Sequence, residues 1–403
     1  MFSSHNSKRW IVLASFATVA GVSQMLWLNF APLITLLQEK YGVSELAASV
    51  PTLVFPLFYV FLSLHAGSMV DHRGFKYTVS LGSIIMAVFS VIRIHDAFWA
   101  IVVGQVGIAI GQPYVLNGIT KLVGDWFEEE QAALATGLGT VGIFLGCALG
   151  LALTPLLIGF GYQFSMSVFS IIAIGAAILF IRYAQENQDK PLHHIEQTSW
   201  GEIKTLMQSK QLILVFILSF LGLGFFNGLT TWLEQILAPA GISADQAGLI
   251  GGMFIIGGIV GAIVIPVLSD RMQRRKPFLV LCVFLGLVLV GPLCQITAFN
   301  HGLVFSTILG FFFLPAYALL LAMSEELAGR DRAGMATGIL MLVGNAGGVV
   351  VIIAMDLVKN GESNWQYPIN LMIALLATAL ILCFFIRETF IGEKSVAPNA
   401  NVH

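Results

Sequence analysis

The sequence predicts an all-α, polytopic membrane protein with twelve transmembrane spans in two six-helix halves. Three observations carry that prediction. The first is composition: of 403 residues, 57% are hydrophobic and only 10% charged, with a mean hydropathy of +0.87. A water-soluble domain so composed would leave large apolar patches against water. The second is that apolar runs of about 20 residues, long enough to cross a hydrocarbon core, recur along the whole chain. The third is a repeat. The charged stretch Gly67-Ser-Met-Val-Asp71-His72-Arg73-Gly74-Phe75-Lys76 separates two apolar runs and returns as Pro266-Val-Leu-Ser-Asp270-Arg271-Met-Gln-Arg274-Arg275-Lys276. The two aspartates stand 199 positions apart, close to half the chain, as parallel duplicated halves require.

In order, span 1 is predicted over about Trp10 to Leu37, span 2 over Ala48 to Val70, span 3 over Tyr77 to Ile94 and span 4 over Phe98 to Leu122. Span 5 covers about Ala132 to Phe160 and span 6 Phe164 to Tyr183. A polar segment, Gln185 to Gln211, then divides the chain, giving an N-terminal half over 1–184, a linker over 185–211 and a C-terminal half over 212–403. Within the linker, Trp200 to Met207 has amphipathic spacing suited to a membrane surface. Span 7 follows at about Leu212 to Leu237, span 8 at Ala247 to Leu268, span 9 at Pro277 to Thr297 and span 10 at Gly302 to Met323. Span 11 covers about Gly334 to Asp356 and span 12 Ile369 to Ile386.

Basic residues orient these spans. Seventeen of the 20 Lys and Arg, among them Arg73, Lys76, Lys190, Lys204, Arg271, Arg330 and Lys394, fall on the side of the termini and linker, whereas Lys40, Arg93 and Lys359 fall on the other. The basic side is expected to be cytoplasmic in a cell membrane. The first apolar run is too long for the core of a cleavable signal and has no small-residue cleavage site, so it is expected to remain as span 1. A net charge of -2 offers no basic face for nucleic acid. Cys147, Cys282, Cys294 and Cys383 lie inside apolar runs without paired spacing and read as buried packing residues, not disulfides or metal ligands. No glycine loop with Lys and Ser/Thr is present to hold a nucleotide phosphate. No cofactor is expected, and His193-His194 in the linker reads as a solvated pair, since adjacent histidines rarely complete a metal site alone.

The two charged turns resemble the loop between the second and third helices of each half in the major facilitator superfamily. The first copy keeps Gly67, Asp71, Gly74 and Lys76; in the second, Pro266 and Gln273 replace the glycines. The resemblance implies that Asp71, Arg73, Lys76, Asp270 and Arg271 serve as gating charges, paired in one access state and separated in another. Gly142, Gly146 and Gly150 put one small residue per turn on span 5, and spans 8 and 11 carry similar rows. Such rows let helix backbones approach where apolar burial gives no drive. By resemblance, spans 2, 5, 8 and 11 are those that meet between halves. Pro155 stands apart from the glycine row, so the exchanger-type motif of span 5 is not matched.

Polar residues inside spans are costly unless they face protein or a watery cavity. Span 1 carries Gln24, Trp27 and Asn29; span 4 carries Gln105, Gln112 and Asn117; span 7 carries Asn227, Thr230, Thr231, Glu234 and Gln235. Gln105 and His65 read as partners in hydrogen bonds between helices. Trp27 fits an interfacial belt or a site, and Glu234 a solvated helix end or a site. No Arg or Lys is predicted deep in a span, which disfavours a carboxylate or phosphate substrate. Aromatics near spans 1 and 7, with Glu234 as the available acid, suit a small organic cation.

A finer similarity joins Gln-Met-Leu-Trp27-Leu-Asn29, Gly111-Gln112, Trp126-Phe127 and Thr231-Trp-Leu-Glu234-Gln235 to the feline leukaemia virus subgroup C receptor-related branch, associated with choline and, disputedly, haem. In that branch a tryptophan of helix 1, a glutamine of helix 4 and a tyrosine of helix 7 form the choline pocket. The resemblance places these on Trp27, on Gln112 and on Phe226 or Asn227, with Gln24, Asn29, Glu234 and Gln235 as further substrate contacts. The expected protein is a monomeric, non-enzymatic carrier in the lipid bilayer that moves a cationic or neutral amphipathic solute such as choline. Facilitated diffusion is expected ahead of proton symport. A proton-coupled carrier of another metabolite, or a non-transporting receptor of the same fold, are the alternatives.

Overall fold

The structure is a computed structural model that describes residues 2–187, 200–329, 332–359 and 364–390. Lys190, His193-His194, Arg330 and Lys394 lie outside the described residues. Twelve helices are long and apolar enough to cross a membrane: Lys8–Tyr41, Glu45–Arg73, Phe75–Ile92, Phe98–Trp126, Leu134–Ile158 and Tyr162–Tyr183, then Lys210–Ala240, Ala244–Met272, Lys276–Cys294, Phe299–Ala328, Ala333–Lys359 and Gln366–Phe385. They are spans 1 to 12 of the sequence reading, each longer or shorter by a few residues. The amphipathic stretch of the linker is helical over Trp200–Leu206. Side-chain chemistry sets several ends. Ser44 accepts a hydrogen bond from the Ala47 amide at the start of span 2, Ser243 and Gln246 form a capping box at the start of span 8, and Gly42 closes span 1 at φ 64°.

Spans 1 and 4 are interrupted, and span 7 ends in a tighter turn. Span 1 stops at Leu28, passes through a 3-10 turn over Ala31–Leu33 that holds Pro32, and resumes over Ile34–Tyr41. Span 4 is interrupted at Asn117, one turn after Pro113, which removes a helix hydrogen bond. Asn117 then donates to the Ser63 carbonyl at 2.8 Å and accepts from Tyr59 at 3.0 Å, fastening span 4 to span 2. Span 7 ends in the 3-10 turn Ala238–Ala240 around Pro239.

Spans 5 and 8 and spans 2 and 11 meet between the halves as the resemblance implies, while most of each glycine row serves close helix packing. A Cβ at Gly142, Gly146 or Gly150 would strike the backbone of Ala17, Gly21 or Met25 in span 1. A Cβ at Gly344 or Gly347 would strike span 7 at Ser219 and Leu223 or at Phe220, and one at Gly257 or Gly261 would strike span 10 at Thr307 or Phe311. The rows therefore weld spans 1 and 5, 7 and 11, and 8 and 10 within one half. Only the far end of the span 8 row crosses over: Gly248 meets Leu151 and Pro155, and Gly252 meets Ala148 and Ala152 of span 5.

Besides the mid-span approach of Tyr59 to Met341 at 3.8 Å, the bonds between the two halves gather at one end. The linker side is the end where the 184–209 segment connects the halves, and the far side is its opposite. On the far side Glu45 pairs with Lys359, Gln235 donates to Gln38, and Thr35 donates to Glu234. On the linker side, Gly67, Gly137, Gly334 and Gly338 of spans 2, 5 and 11 have no atom within 4 Å of where a Cβ would stand. Among the described residues the side-chain bonds between the halves lie at the far side and mid-span and none at the linker side, so the bundle is tied shut at the far side and, in that sense, parted at the linker side.

Candidate functional site

The break after span 1's first segment leaves Trp27 in its last turn, where its indole N–H donates to the Thr52 carbonyl of span 2 at 2.8 Å. That bond fixes the ring plane. Phe55 packs against the indole at a tilt of 42° with 4.5 Å between centroids, and Tyr59 follows Phe55 at 5.8 Å. From the other half, the Phe226 ring lies 6.4 Å from Trp27, Phe254 lies 6.0 Å from Phe226, and Phe313 lies 6.3 Å from Phe254. A row of aromatic faces thus runs from span 2 through spans 1, 7 and 8 to span 10, across the seam near the middle of the spans. No Lys or Arg among the described residues makes a cation–π contact with these rings.

Phe226 is the span 7 residue that meets Trp27. Asn227 turns to span 11, where a Cβ on Gly348 would touch its side chain, and donates to the Leu223 carbonyl at 2.8 Å. Its Oδ1 has no partner among the described residues. Gln112 is fully buried and donates to the Ser23 carbonyl of span 1 at 2.6 Å, with Oε1 left unpaired. Gln24, one residue on from Ser23, faces Cys147 of span 5. Of the expected substrate contacts, Trp27 and Phe226 are therefore brought together, while Gln112, Gln24 and Asn227 lie in helix contacts around them.

Asn29, Glu234 and Gln235 serve other contacts. Asn29 accepts from Arg93 at 3.4 Å within the first half, beside Gln105, which accepts from Arg93 at 2.8 Å and donates to the Leu26 carbonyl. Gln105 is thus a partner between helices, as its sequence position suggested. Arg93 itself is fully buried at the far end of span 3, and Lys359 is buried at 4% exposure. These far-side cations are thus enclosed in protein, which sequence position did not reveal. Glu234 is 6% exposed, not solvated, and accepts from the Thr35 hydroxyl at 2.9 Å and from its amide at 3.4 Å. It sits eight residues past Phe226, about 12 Å of helix rise toward the far side. Lys359 lies over the Trp365 ring at 4.4 Å, and Trp365 packs at a tilt against Trp232 of span 7 at 5.3 Å, so the pair with Glu45 is backed by span 7 as well.

The charged turns make their bonds within their own halves. Arg73 donates to Tyr77 at 3.0 Å, one turn along in the same half. Asp270 pairs with Arg275, not with its neighbour Arg271, and Arg275 also donates to Glu326 at 3.0 Å. The amide of Lys76 donates to the Glu186 carboxylate at 2.7 Å, three residues past the end of span 6. The second half repeats the device. Glu388, three residues past the end of span 12, accepts from the amides of Arg275 at 2.6 Å and Lys276 at 3.2 Å. Each carboxylate answers the unpaired amides and positive dipole end of a helix. Burial raises the Glu186 carboxyl above its usual range, partly offset by the Lys76 amide. Sequence reading missed both glutamates because each is remote in sequence from the turn it caps; their shared position after the sixth helix of a half was the available signal.

Twelve membrane-length helices in two halves, with aromatic and uncharged polar side chains meeting between them, make a membrane transporter rather than an enzyme. The chain belongs to the major facilitator superfamily, whose sequence profile matches residues 16–291 and 234–400. It is 23% identical to an uncharacterised MFS-type transporter of Caenorhabditis elegans, over 96% of this chain and 70% of that one. It is 24% identical to the choline/ethanolamine transporter flvcr2a of Danio rerio, over 98% of this chain and 91% of the relative. Its fold is similar to the crystal structure of a bacterial homologue of the human lysosomal transporter Spinster in an inward-facing, unoccupied conformation. The TM-score is 0.74 at 13% identity, covering 94% of this chain and 97% of that one.

Proposed function

We propose that the protein carries a small organic cation of the choline type across a cell membrane by facilitated diffusion, as a monomer, through alternating access of two rigid six-helix halves. The observation that carries this reading is the approach of Trp27 and Phe226 across the seam, flanked by Phe55 and Phe254. A quaternary ammonium can lie against such faces, and the near-total absence of hydrogen-bonding demand from its methyl groups suits an apolar wall. The name of the zebrafish relative agrees with this chemistry. Gln112, held one turn along span 1 from Trp27 by its bond to the Ser23 carbonyl, has an unpaired buried oxygen to offer as acceptor for a substrate hydroxyl, whereas Asn227 is committed to span 11. Glu234 stands too far along span 7 to ligate the same group and instead ties span 7 to Thr35 of span 1 at the closed far side. The linker side is cytoplasmic by its basic excess, so the closed far side faces outward. On the parted side, Asp71, Arg73, Lys76, Asp270 and Arg271 act as the gating charges that engage when that side closes.

Uptake and binding by the purified protein in proteoliposomes test this reading. A cation over a desolvated indole gains about 2 kcal/mol, roughly thirtyfold in affinity. Trp27→Ala is expected to weaken choline binding by about that factor, and Trp27→Phe by less. Equal losses from both, or none for any ammonium, would return Trp27 to a packing role.

A further inference from the structure

Resting on that reading of the headgroup site, the structure points to a second subsite: we infer that an apolar cavity inside the second half receives an alkyl chain carried by the ammonium substrate. The cavity leaves about 70 Å³ for a water-sized sphere to move in, narrow for a whole ligand and suited to a slender chain. Its walls include Gly222, Leu223, Val283, Leu314, Leu320 and Leu376, from spans 7, 9, 10 and 12, and they offer almost no polar surface. Two features tie it to the aromatic row. Phe226 and Phe313 line both, so the cavity begins where the headgroup site ends. Phe144 of span 5 also lines it, so its mouth lies at the seam between the halves and not only within one of them.

The direction of the cavity follows from its residues. Phe226 and Phe313 are near mid-span, whereas Leu320, Leu279 and Ala379 lie toward the linker ends of spans 10, 9 and 12. A chain attached to an ammonium on Trp27 would run from the middle of the bundle toward the linker side. Gly222 shapes the wall. A Cβ there would meet no atom within 4 Å, so the missing side chain leaves space that neighbours do not fill, unlike the welding glycines of the same half. The substrate class is therefore a single-chain amphiphile, a quaternary ammonium with a short to medium alkyl tail, with choline as its minimal head.

The test is a series of alkyltrimethylammonium ions, from tetramethylammonium through butyl, hexyl and octyl, each below its micelle-forming concentration. Binding to the full-length protein in nanodiscs would be measured by calorimetry. Affinity is expected to rise by two- to fourfold per methylene, up to the burial value of a methylene, until the cavity is full. Gly222→Leu, which fills the cavity, is expected to flatten that rise while tetramethylammonium affinity stays within about twofold. Leu376→Ala, which enlarges it, is expected to move the optimum to a longer chain. Thermal unfolding of both variants checks that they fold. Tetramethylammonium binding with no gain along the series would overturn the tail subsite and leave the headgroup reading standing, and so would a gain that survives Gly222→Leu. Binding of the long members only, lost in Gly222→Leu, would keep the subsite and overturn the headgroup reading. No binding by any member would overturn both.

Discussion

On the far side, Glu45 of span 2 holds Lys359 of span 11, Glu234 of span 7 holds Thr35 of span 1, and Gln235 holds Gln38; each of these bonds joins one half to the other. On the linker side, Glu186 caps span 3, Glu388 caps span 9, and Arg275 spans Asp270 and Glu326; each of these stays inside its own half. The same residue types therefore do two jobs. Charges that cross the seam hold an access state, and charges that stay within a half hold its helices in register. The comparison predicts that far-side substitutions shift the balance between states, whereas linker-side ones change the stability of one half.

The largest effect is expected from Glu45→Ala. It leaves Lys359 buried against Trp365 without its carboxylate; because Glu45 is itself 28% exposed, the cost lies at the low end for such a pair, about 3 kcal/mol. Distances between spin labels on the far ends of spans 2 and 11 should lengthen, and exchange of the two charges, Glu45→Lys with Lys359→Glu, should restore them. Thr35→Val is expected to follow at about 2 kcal/mol, the loss of a hydrogen bond to a charged group, read by a smaller lengthening of the same spin-label distances. A shift of label distances by neither substitution would mean that the far-side bonds do not hold the state.

Smaller changes are expected on the linker side. Glu186→Gln and Glu388→Gln should each cost about 1 kcal/mol of thermal stability, the worth of a carboxylate at a helix amino terminus, with far-side distances unchanged. A matched movement of those distances would erase the contrast between the two ends. The smallest effect is expected from Lys40→Ala. Its pair with Asp96 at 2.6 Å is on the far side yet within one half, and both side chains are about a third exposed, so less than about 1 kcal/mol is at stake. That variant separates location from connectivity: it should behave like a linker-side change and leave access unaltered.

The twelve spans were legible because each is long enough to register by hydropathy alone, and the repeat of Asp71 in Asp270 exposed the two halves without any packing information. Trp27 and Phe226 were legible as a pair only through family resemblance, since nothing local says that residues 199 apart will lie ring to ring. What faces what was less accessible. The glycine row of span 5 gives the face of a helix but not its partner, and that partner is span 1 rather than the other half. Asn29 has the same polarity as Gln112, yet it turns to Arg93, because a buried guanidinium needs acceptors and Asn29 and Gln105 are those within reach. Glu234 and Lys359 look solvated from their places near helix ends, and only the closure of the far side over them makes them buried.

The open glycines of the linker side have a practical consequence for anyone who wants to watch this protein move. Most sites in a packed membrane bundle reject a bulky reporter, and Gly146, Gly261 and Gly310 would reject even a methyl group. Gly67, Gly137, Gly334 and Gly338 offer free volume on helices from both halves, on the side that has to close if access alternates. A fluorophore pair on Gly67 and Gly338 would ride on spans 2 and 11 without wedging either from its neighbours. The bundle thus carries, at its parted end, attachment points for a ruler across its own opening.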